Sequence, residues 1–388
     1  MSKPQEIPLA SPDIGASERE LVASVLESGR LSLGPMQQRF EADFAAWLGV
    51  DDAVAVSSGT AALHLSVRAL GWGEGDSVVT TPLTFVASSN CLLYEGAEPR
   101  FVDVDPITLT IDPARVEGSL EGAAGVLPVH LFGAPVAMEE IEALCSASGL
   151  PILEDACQAL GATCADGTAV GARGNQSIFA FYANKQLTTG EGGMLIPATP
   201  KGAELARSER NQGRGEDMSV LEHERLGFNY RLSELACALG VAQVDRLDDL
   251  LTRRREVADT YTHQLTEIGG CEARTADLDG LVLPAADTGS WQRGWFVYPI
   301  RLPVGVDRAR VLSDLAAAGI QSKAYLPCVH LFPFYRKRFG FAEGDFPVAE
   351  DVARRSVALP FFGAMSDADV DRVTTALAES LGRTGGRA

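Results

Sequence analysis

The chain predicts an α/β fold: a large domain built on a mostly parallel, seven-stranded sheet, followed by a smaller C-terminal α+β domain. Two observations predict it. Between residues 53 and 197, seven short apolar runs read as buried strands, at 54–56, 78–80, 100–102, 125–129, 151–153, 178–181 and 194–196. The first five are separated by stretches with helical spacing, such as 61–70 and 138–146. Strands alternating with helices give a parallel sheet covered on both faces. The second observation is size: 388 residues, 46% of them apolar, suffice for two domains with sizeable cores. The expected division is 1–250 for an N-terminal arm and the large domain, and 251–388 for the smaller one.

The elements follow in order. Ser17-Glu18-Arg19-Glu20 begins a helical pattern with Leu21, Val22, Val25 and Leu26 on one side. Gly34-Pro35 breaks it, and a second helix runs through Phe40, Phe44 and Trp47. After the seven runs, residues 203–230 are polar and read as an excursion over the surface. A long helix is expected over roughly 233–262, with Leu235, Leu239, Ala242 and Leu247 on one face. It would bridge to the second lobe, which holds a strand near 296–302, a helix near 307–318 and a last helix after Ser366. Ser366-Asp367-Ala368-Asp369 has the composition of a helix start.

Formal net charge is -19. Nucleic acid and anionic membrane both need a basic surface, so both are excluded as partners. An anionic small molecule is not, since a local Arg cluster can bind one. No run is long and apolar enough to span a bilayer, and the first residues lack an apolar signal region. The seven cysteines are irregularly spaced, without a Cys-x-x-Cys pair, which suits reduced thiols and a cytoplasmic protein.

Only five lysines occur, and Lys185 is set apart by its context, Phe181-Tyr182-Ala183-Asn184-Lys185-Gln186 before the glycine-rich Thr189-Gly190-Glu191-Gly192-Gly193. It sits just past a strand. An amine that must attack one carbonyl carbon needs such rigid framing and a lowered pKa; the plain alternative is a surface Lys. Ser57-Ser58-Gly59-Thr60 follows the first strand and opens a helix. Exposed N–H groups, a Gly that permits close approach and nearby hydroxyls suit a phosphate, although a simple helix cap looks the same. Asp155, in Leu153-Glu154-Asp155-Ala156-Cys157-Gln158, ends another strand, at the edge where ligands of such sheets lie. An acid there can keep a pyridine nitrogen protonated, or can simply be solvated. Phe85 follows the second strand and offers a stacking face, or a core ring. Together the four meet the needs of one cofactor, pyridoxal 5'-phosphate.

These stretches carry a resemblance. Ser57–Leu65, Phe101-Val102-Asp103-Val104-Asp105, Pro128-Val129-His130-Leu131-Phe132-Gly133, Glu154–Gln158, Asn184-Lys185 with Thr188–Gly193, and Phe228-Asn229-Tyr230-Arg231-Leu232-Ser233-Glu234 resemble the DegT/DnrJ/EryC1/StrS family in order over nearly the whole chain. Ala358-Leu359-Pro360-Phe361-Phe362 also fits. The family's members are pyridoxal-phosphate sugar aminotransferases of fold type I. The resemblance implies that Lys185 forms the imine and Asp155 partners the ring nitrogen. It puts Gln158 near the ring's phenolic oxygen, Ser58, Gly59 and Thr60 at the phosphate, and Phe85 on the ring. It implies a homodimer with shared active sites, in which Asn229 reaches the neighbouring subunit's phosphate. His330 matches a position near the sugar, with a core or solvent-facing His as the alternative.

One departure is Ala180, where many relatives carry a phosphate-binding Ser; either that hydroxyl contact is missing or a neighbour such as Ser177 supplies it. A lost charge-assisted hydrogen bond costs about 1.5–3 kcal/mol. The implied reaction takes an amino group from an amino acid, L-glutamate by resemblance, to a keto sugar, normally nucleotide-linked. A keto-cyclitol acceptor is the alternative. Related sugar dehydratases carry His at the Lys185 position, and a catalytically silent pyridoxal-phosphate-binding regulator would not need Lys185 and Asp155.

Overall fold

The central strands are buried on both faces, and that burial builds the molecule from the inside. In the computed structural model, which describes residues 6–215, 221–274 and 278–382, the arm ends in helices α1 (Ala16–Ser28) and α2 (Pro35–Leu48). There follow β1 (Val54–Val56), α3 (Gly59–Leu70), β2 (Ser77–Thr80), α4 (Ala87–Tyr94), β3 (Glu98–Phe101), α5 (Pro113–Glu117), β4 (Gly125–Val126), α6 (Met138–Ser148), β5 (Leu153–Asp155), β6 (Gln176–Ala180) and β7 (Gly193–Ile196). Strand pairing runs β3-β2-β4 and β5-β6-β7-β1. Parallel bridges Val126–Ile152 and Val129–Asp155 join the halves into one sheet. Only β7 runs antiparallel to its neighbours, β6 and β1. The seven expected strands are all present, and the sheet is mostly parallel as expected.

Neighbouring residues on each strand face opposite layers, as the pleat requires. Phe179, Met194 and Val79 enter one core with Phe40 and Phe44. Ile178, Leu195 and Val78 enter the other with Leu63, Leu65 and Leu92. Phe44 packs edge-on to Phe179 and Phe181, with centroids 5.4 and 5.5 Å away.

Three expectations change. Residues 200–210 form helix α7 (Pro200–Arg210), with Ala203 and Ala206 buried, so the surface excursion starts only after Arg210. The long helix is two, α8 (Glu234–Val244) and α9 (Leu247–Glu267). The buried face of α8 is Cys237, Ala238, Val241 and Val244, while Leu235 and Leu239 are half-buried. Gly240 explains the choice: a Cβ there would lie 2.6 Å from the Phe40 ring, so small residues bring α8 against α2. In α1, Leu26 is exposed and Glu18 is buried instead. The Glu18 carboxylate accepts from Gln243 Nε2 and Arg246 Nε, both at 2.7 Å, which ties α1 to α8 through charge.

Beyond α9 come β8 (Gly270–Glu272), β9 (Leu281–Leu283), β10 (Tyr298–Arg301), α10 (Arg308–Ala317), β11 (Lys323–Ala324), α11 (Pro333–Phe339), α12 (Pro347–Arg355), β12 (Ser356–Leu359) and α13 (Asp367–Ser380). A second sheet, ordered β11-β12-β10-β9-β8, carries a core of Tyr261, Tyr298, Leu315, Leu359 and Leu377. Ser366 caps α13 in a reciprocal box with Asp369. Helix α9 serves both cores, with Leu247 in the first and Val257, Tyr261 and Leu265 in the second. Among the described residues no helix is long and apolar enough to cross a membrane.

Glu234, the last residue of the Asn229–Glu234 motif, has a structural task. Its buried carboxylate accepts the backbone N–H groups of Met36 (2.9 Å) and Gln37 (3.0 Å), capping α2 from α8. Glu234→Ala orphans both donors at a buried helix start, a loss of about 1–3 kcal/mol. It should lower the thermal midpoint and speed amide exchange at Met36 and Gln37. Unchanged exchange there would show that the cap is dispensable.

Candidate active site

The carboxyl ends of β1, β2, β5 and β6 lie on one edge of the sheet, and β7 brings Gly193 to the same edge opposite Ala180 and Val56. Ser58 caps α3 in extended conformation, its hydroxyl accepting from Ala61 N–H at 3.0 Å. Gly59 then lies hard against the end of β6. A Cβ on it would sit 2.6 Å from the Ala180 Cβ and 3.0 Å from the Cys157 sulfur. A Cβ on Gly193 would meet the Ser58 carbonyl oxygen at 2.5 Å. Two glycines thus bring the start of α3 onto the sheet edge, with its first N–H groups, those of Gly59 and Thr60, lacking helical partners. A helix start so exposed can hold an anion, the role expected of Gly59 and Thr60.

Asp155 ends β5, nearly buried. Both its oxygens are held: the Ser88 hydroxyl donates to Oδ2 at 2.6 Å and the Cys157 N–H donates to Oδ1 at 3.1 Å. Ser88 is braced in turn by Thr84 Oγ1, 2.8 Å away. The Phe85 ring, on the same turn, is 59% exposed, which a core phenyl would not be. Gln158 is fixed through its Oε1, which accepts from Phe132 N–H at 2.9 Å.

Lys185 closes a turn, its N–H donating to the Tyr182 carbonyl at 2.9 Å. Its Nζ lies 3.9 Å from the centre of the Phe296 ring. Burial lowers its pKa, the Arg254 charge lowers it further, and the Asp155 charge opposes both. Arg254 donates to the Lys185 carbonyl at 3.1 Å and is itself buried, its guanidinium pushed down to about 10 by desolvation. Cys157 stays protonated, because burial and then the Asp155 charge raise its pKa well above the ordinary value. Next to the Lys, the Asn184 Oδ1 is buried without a partner among the described residues.

Two candidates are elsewhere. Ser177 is fully buried and donates to the Gly171 carbonyl at 3.0 Å. Three residues before Ala180 on a strand, it points to the opposite face, so it cannot replace the hydroxyl that Ala180 lacks. His330 is fully buried too, its Nε2 3.1 Å from Glu350 Oε1 and its ring against Phe346. It is a core histidine and not on the site's wall. Asn229 is exposed, on a segment whose Tyr230 carbonyl accepts from Ser57 N–H at 2.8 Å. Ser88, Phe296 and Arg254 escaped the sequence reading because each reaches the site from far along the chain; only Ser88, three residues after Phe85 on the first turn of α4, left a local trace.

The open cradle, the exposed phenyl, the pinned carboxylate and the depressed amine fit pyridoxal phosphate, which defines an enzyme of the fold type I class. Comparison with known proteins agrees. The aminotransferase TlmJ from Streptoalloteichus hindustanus superimposes with a TM-score of 0.88 at 33% identity, covering 97% of this chain and 99% of that one. PseC from Helicobacter pylori, an aminotransferase involved in the biosynthesis of pseudoaminic acid, gives a TM-score of 0.88 at 26% identity, over 97% and 100%. The spore coat polysaccharide biosynthesis protein SpsC of Bacillus subtilis is 36% identical over 385 residues, 96% of each chain. The sequence pattern of the DegT/DnrJ/EryC1/StrS aminotransferase family matches residues 12–378. The chain belongs to that family, and it is a pyridoxal-phosphate-dependent aminotransferase.

The depressed Lys185 pKa has a sign that can be checked. The folded value lies below the ordinary 10.5, so the buried ammonium destabilises the cofactor-free fold at neutral pH. That cost is complete below the folded pKa and vanishes as pH rises through it towards 10.5. Cofactor-free Lys185→Met should therefore melt above the unsubstituted protein at pH 7, with the gap closing in alkali. Equal midpoints at pH 7 would mean that the amine is solvated.

Proposed function

We propose that this enzyme moves an amino group from L-glutamate to a keto sugar carried on a nucleotide, in the cytoplasm, as a step of amino-sugar biosynthesis. The observation that carries the transamination reading is Lys185, whose depressed amine is framed by Phe296 and Arg254 at the edge that also holds Asp155 and the α3 cradle. A lysine there supports transfer over dehydration, and the braced carboxylate supports catalysis over a silent binding role. The sugar reading is supported by the likeness to SpsC, whose name ties it to polysaccharide biosynthesis. All seven cysteines are free, which suits a reducing compartment.

Bound pyridoxal phosphate supplies an electron sink for the pair left at the donor's α-carbon. The rest falls to the chain. The first N–H groups of α3 would hold the phosphate, Phe85 would face the ring, and Gln158 would stand towards the phenolic oxygen. Asp155, fixed by two hydrogen-bond donors, would partner the ring nitrogen. The Lys185 amine shuttles the proton to and from the α-carbon, a task its lowered pKa favours by enlarging the neutral fraction. With Ala180 beside Gly59, the phosphate depends on backbone donors more than a serine-bearing relative's would.

The test is a panel. Purified enzyme with L-glutamate should release 2-oxoglutarate in step with amination of nucleotide-linked keto sugars, in ping-pong kinetics, and Lys185→Ala should cut turnover by roughly 10²–10⁴-fold. Amination of keto-cyclitols alone would overturn the sugar reading.

We further propose a two-fold dimer with shared sites, in which Asn229 reaches the partner's phosphate. Support lies in the segment itself: Leu221, Leu226 and Asn229 are exposed while Tyr230 fastens the strand beside its own cradle. Mixing inactive Lys185→Ala protein with a cofactor-deficient Asn229→Ala protein should restore activity, because one site of each heterodimer escapes both lesions. No recovery despite proven subunit exchange would place Asn229 in its own chain's site.

A further inference from the structure

Where the second sheet meets the loop after β3, the protein forms a small, partly enclosed cavity lined by Leu109, Pro284, Arg293, Arg301 and Ser356 among others. None of the residues assigned to the cofactor lines it. Its polar wall is unusual. Arg293 and Arg301 are only 3% and 5% exposed, and Ser356 is fully buried. Arginine is almost never buried so far unless it is paired. The neighbouring Arg355 obeys that rule, bonding Asp351 at 2.9 Å and the carbonyls of Leu302, Leu278 and Gly280.

The other two do not. Arg293 donates to the Phe132 carbonyl at 3.2 Å, but its Nε has no partner among the described residues. The Arg301 guanidinium makes no ion pair and no hydrogen bond to the protein among them. The Ser356 hydroxyl is likewise unpartnered. Asp105, Asp287 and Asp351 attract these charges without touching them. Desolvation pushes both guanidiniums down to about 10, so at neutral pH both remain charged.

Two buried cations, an idle N–H and an idle hydroxyl around one void describe a site lacking a negative charge. We propose that this cavity binds one halide-sized monovalent anion, chloride under physiological conditions, held by Arg293, Arg301 and the Ser356 hydroxyl. Size sets the class: the void has room for one water-sized occupant, about 10 Å3, too little for phosphate or a substrate carboxylate. A water would aim two donors at a wall whose side-chain polar groups are guanidiniums and a hydroxyl, whereas a halide only accepts. The bound anion ties β10 and the start of β12 to the Arg293 loop. Through Arg293 it also steadies Phe132, whose N–H holds Gln158.

The inference stands whatever the acceptor proves to be, and the test does not use turnover. Thermal midpoints are compared in sodium chloride, sodium bromide and sodium gluconate at one ionic strength, gluconate being too large to enter. The halides should raise the midpoint saturably by a few degrees, as a ligand of the folded state does. Arg301→Gln and Ser356→Ala should flatten that rise, and bromide-soaked crystals of the unsubstituted protein should show an anomalous peak between Arg293 and Arg301. Equal midpoints in halide and gluconate, or an undiminished halide increment in Ser356→Ala and Arg301→Gln, would overturn the site. So would a cavity with no bromide signal. If Arg301→Gln does not fold, Ser356→Ala and the unsubstituted crystals decide.

Discussion

The approach of Gly59 to the end of β6 is the contact on which the active site depends. The Gly59 backbone must lie against the Ala180 side chain there, because a single methyl on Gly59 would stand 2.6 Å from the Ala180 Cβ. Gly193 completes the approach from β7. Only then do the first N–H groups of α3 face the same edge that carries Asp155 and Lys185. A parallel sheet makes this economical, since the ends of β1, β5 and β6 deliver three unrelated chain segments to one place.

Around that edge, polar groups are held by other polar groups of the chain. Asp155 is fixed by Ser88 and Cys157, Ser88 by Thr84, Gln158 by Phe132, and Lys185 by Arg254 through its carbonyl. Such bracing leaves no oxygen of the buried carboxylate without a donor. It also orients each group before any ligand arrives, so that little reorganisation accompanies the chemistry. The lowered Lys185 pKa has the reverse origin: burial and Arg254 outweigh the attraction of Asp155.

Much of this was legible in the sequence where the signal was local. The seven apolar runs became the seven strands, and Ser58-Gly59 became a helix start, because strand period and capping chemistry involve adjacent residues. The failures were failures of range or direction. Helix α7 reads as loop because its buried residues are small or charged, Ala203, Ala206, Glu209 and Arg210, and show no apolar period. Ser177 is close to Ala180 in sequence, but strand parity turns its hydroxyl to the other face. His330 matched a motif position, yet Glu350 and Phe346 claim it for the interior.

The sequence by itself determined the class of fold, the order of its elements, and the local setting of the lysine, the acid and the Ser58-Gly59 helix start. Each of these is written in neighbouring residues. Tertiary structure alone decided which groups tune them: Phe296 beneath the amine, Arg254 behind it, Ser88 on the carboxylate, and Arg293 brought to Arg301 around an empty space. The physical reason is that pKa and hydrogen bonding depend on distance through space, and the partners lie 67 residues apart for Ser88 and Asp155 and 69 for Lys185 and Arg254. No local pattern encodes such a meeting; only packing produces it.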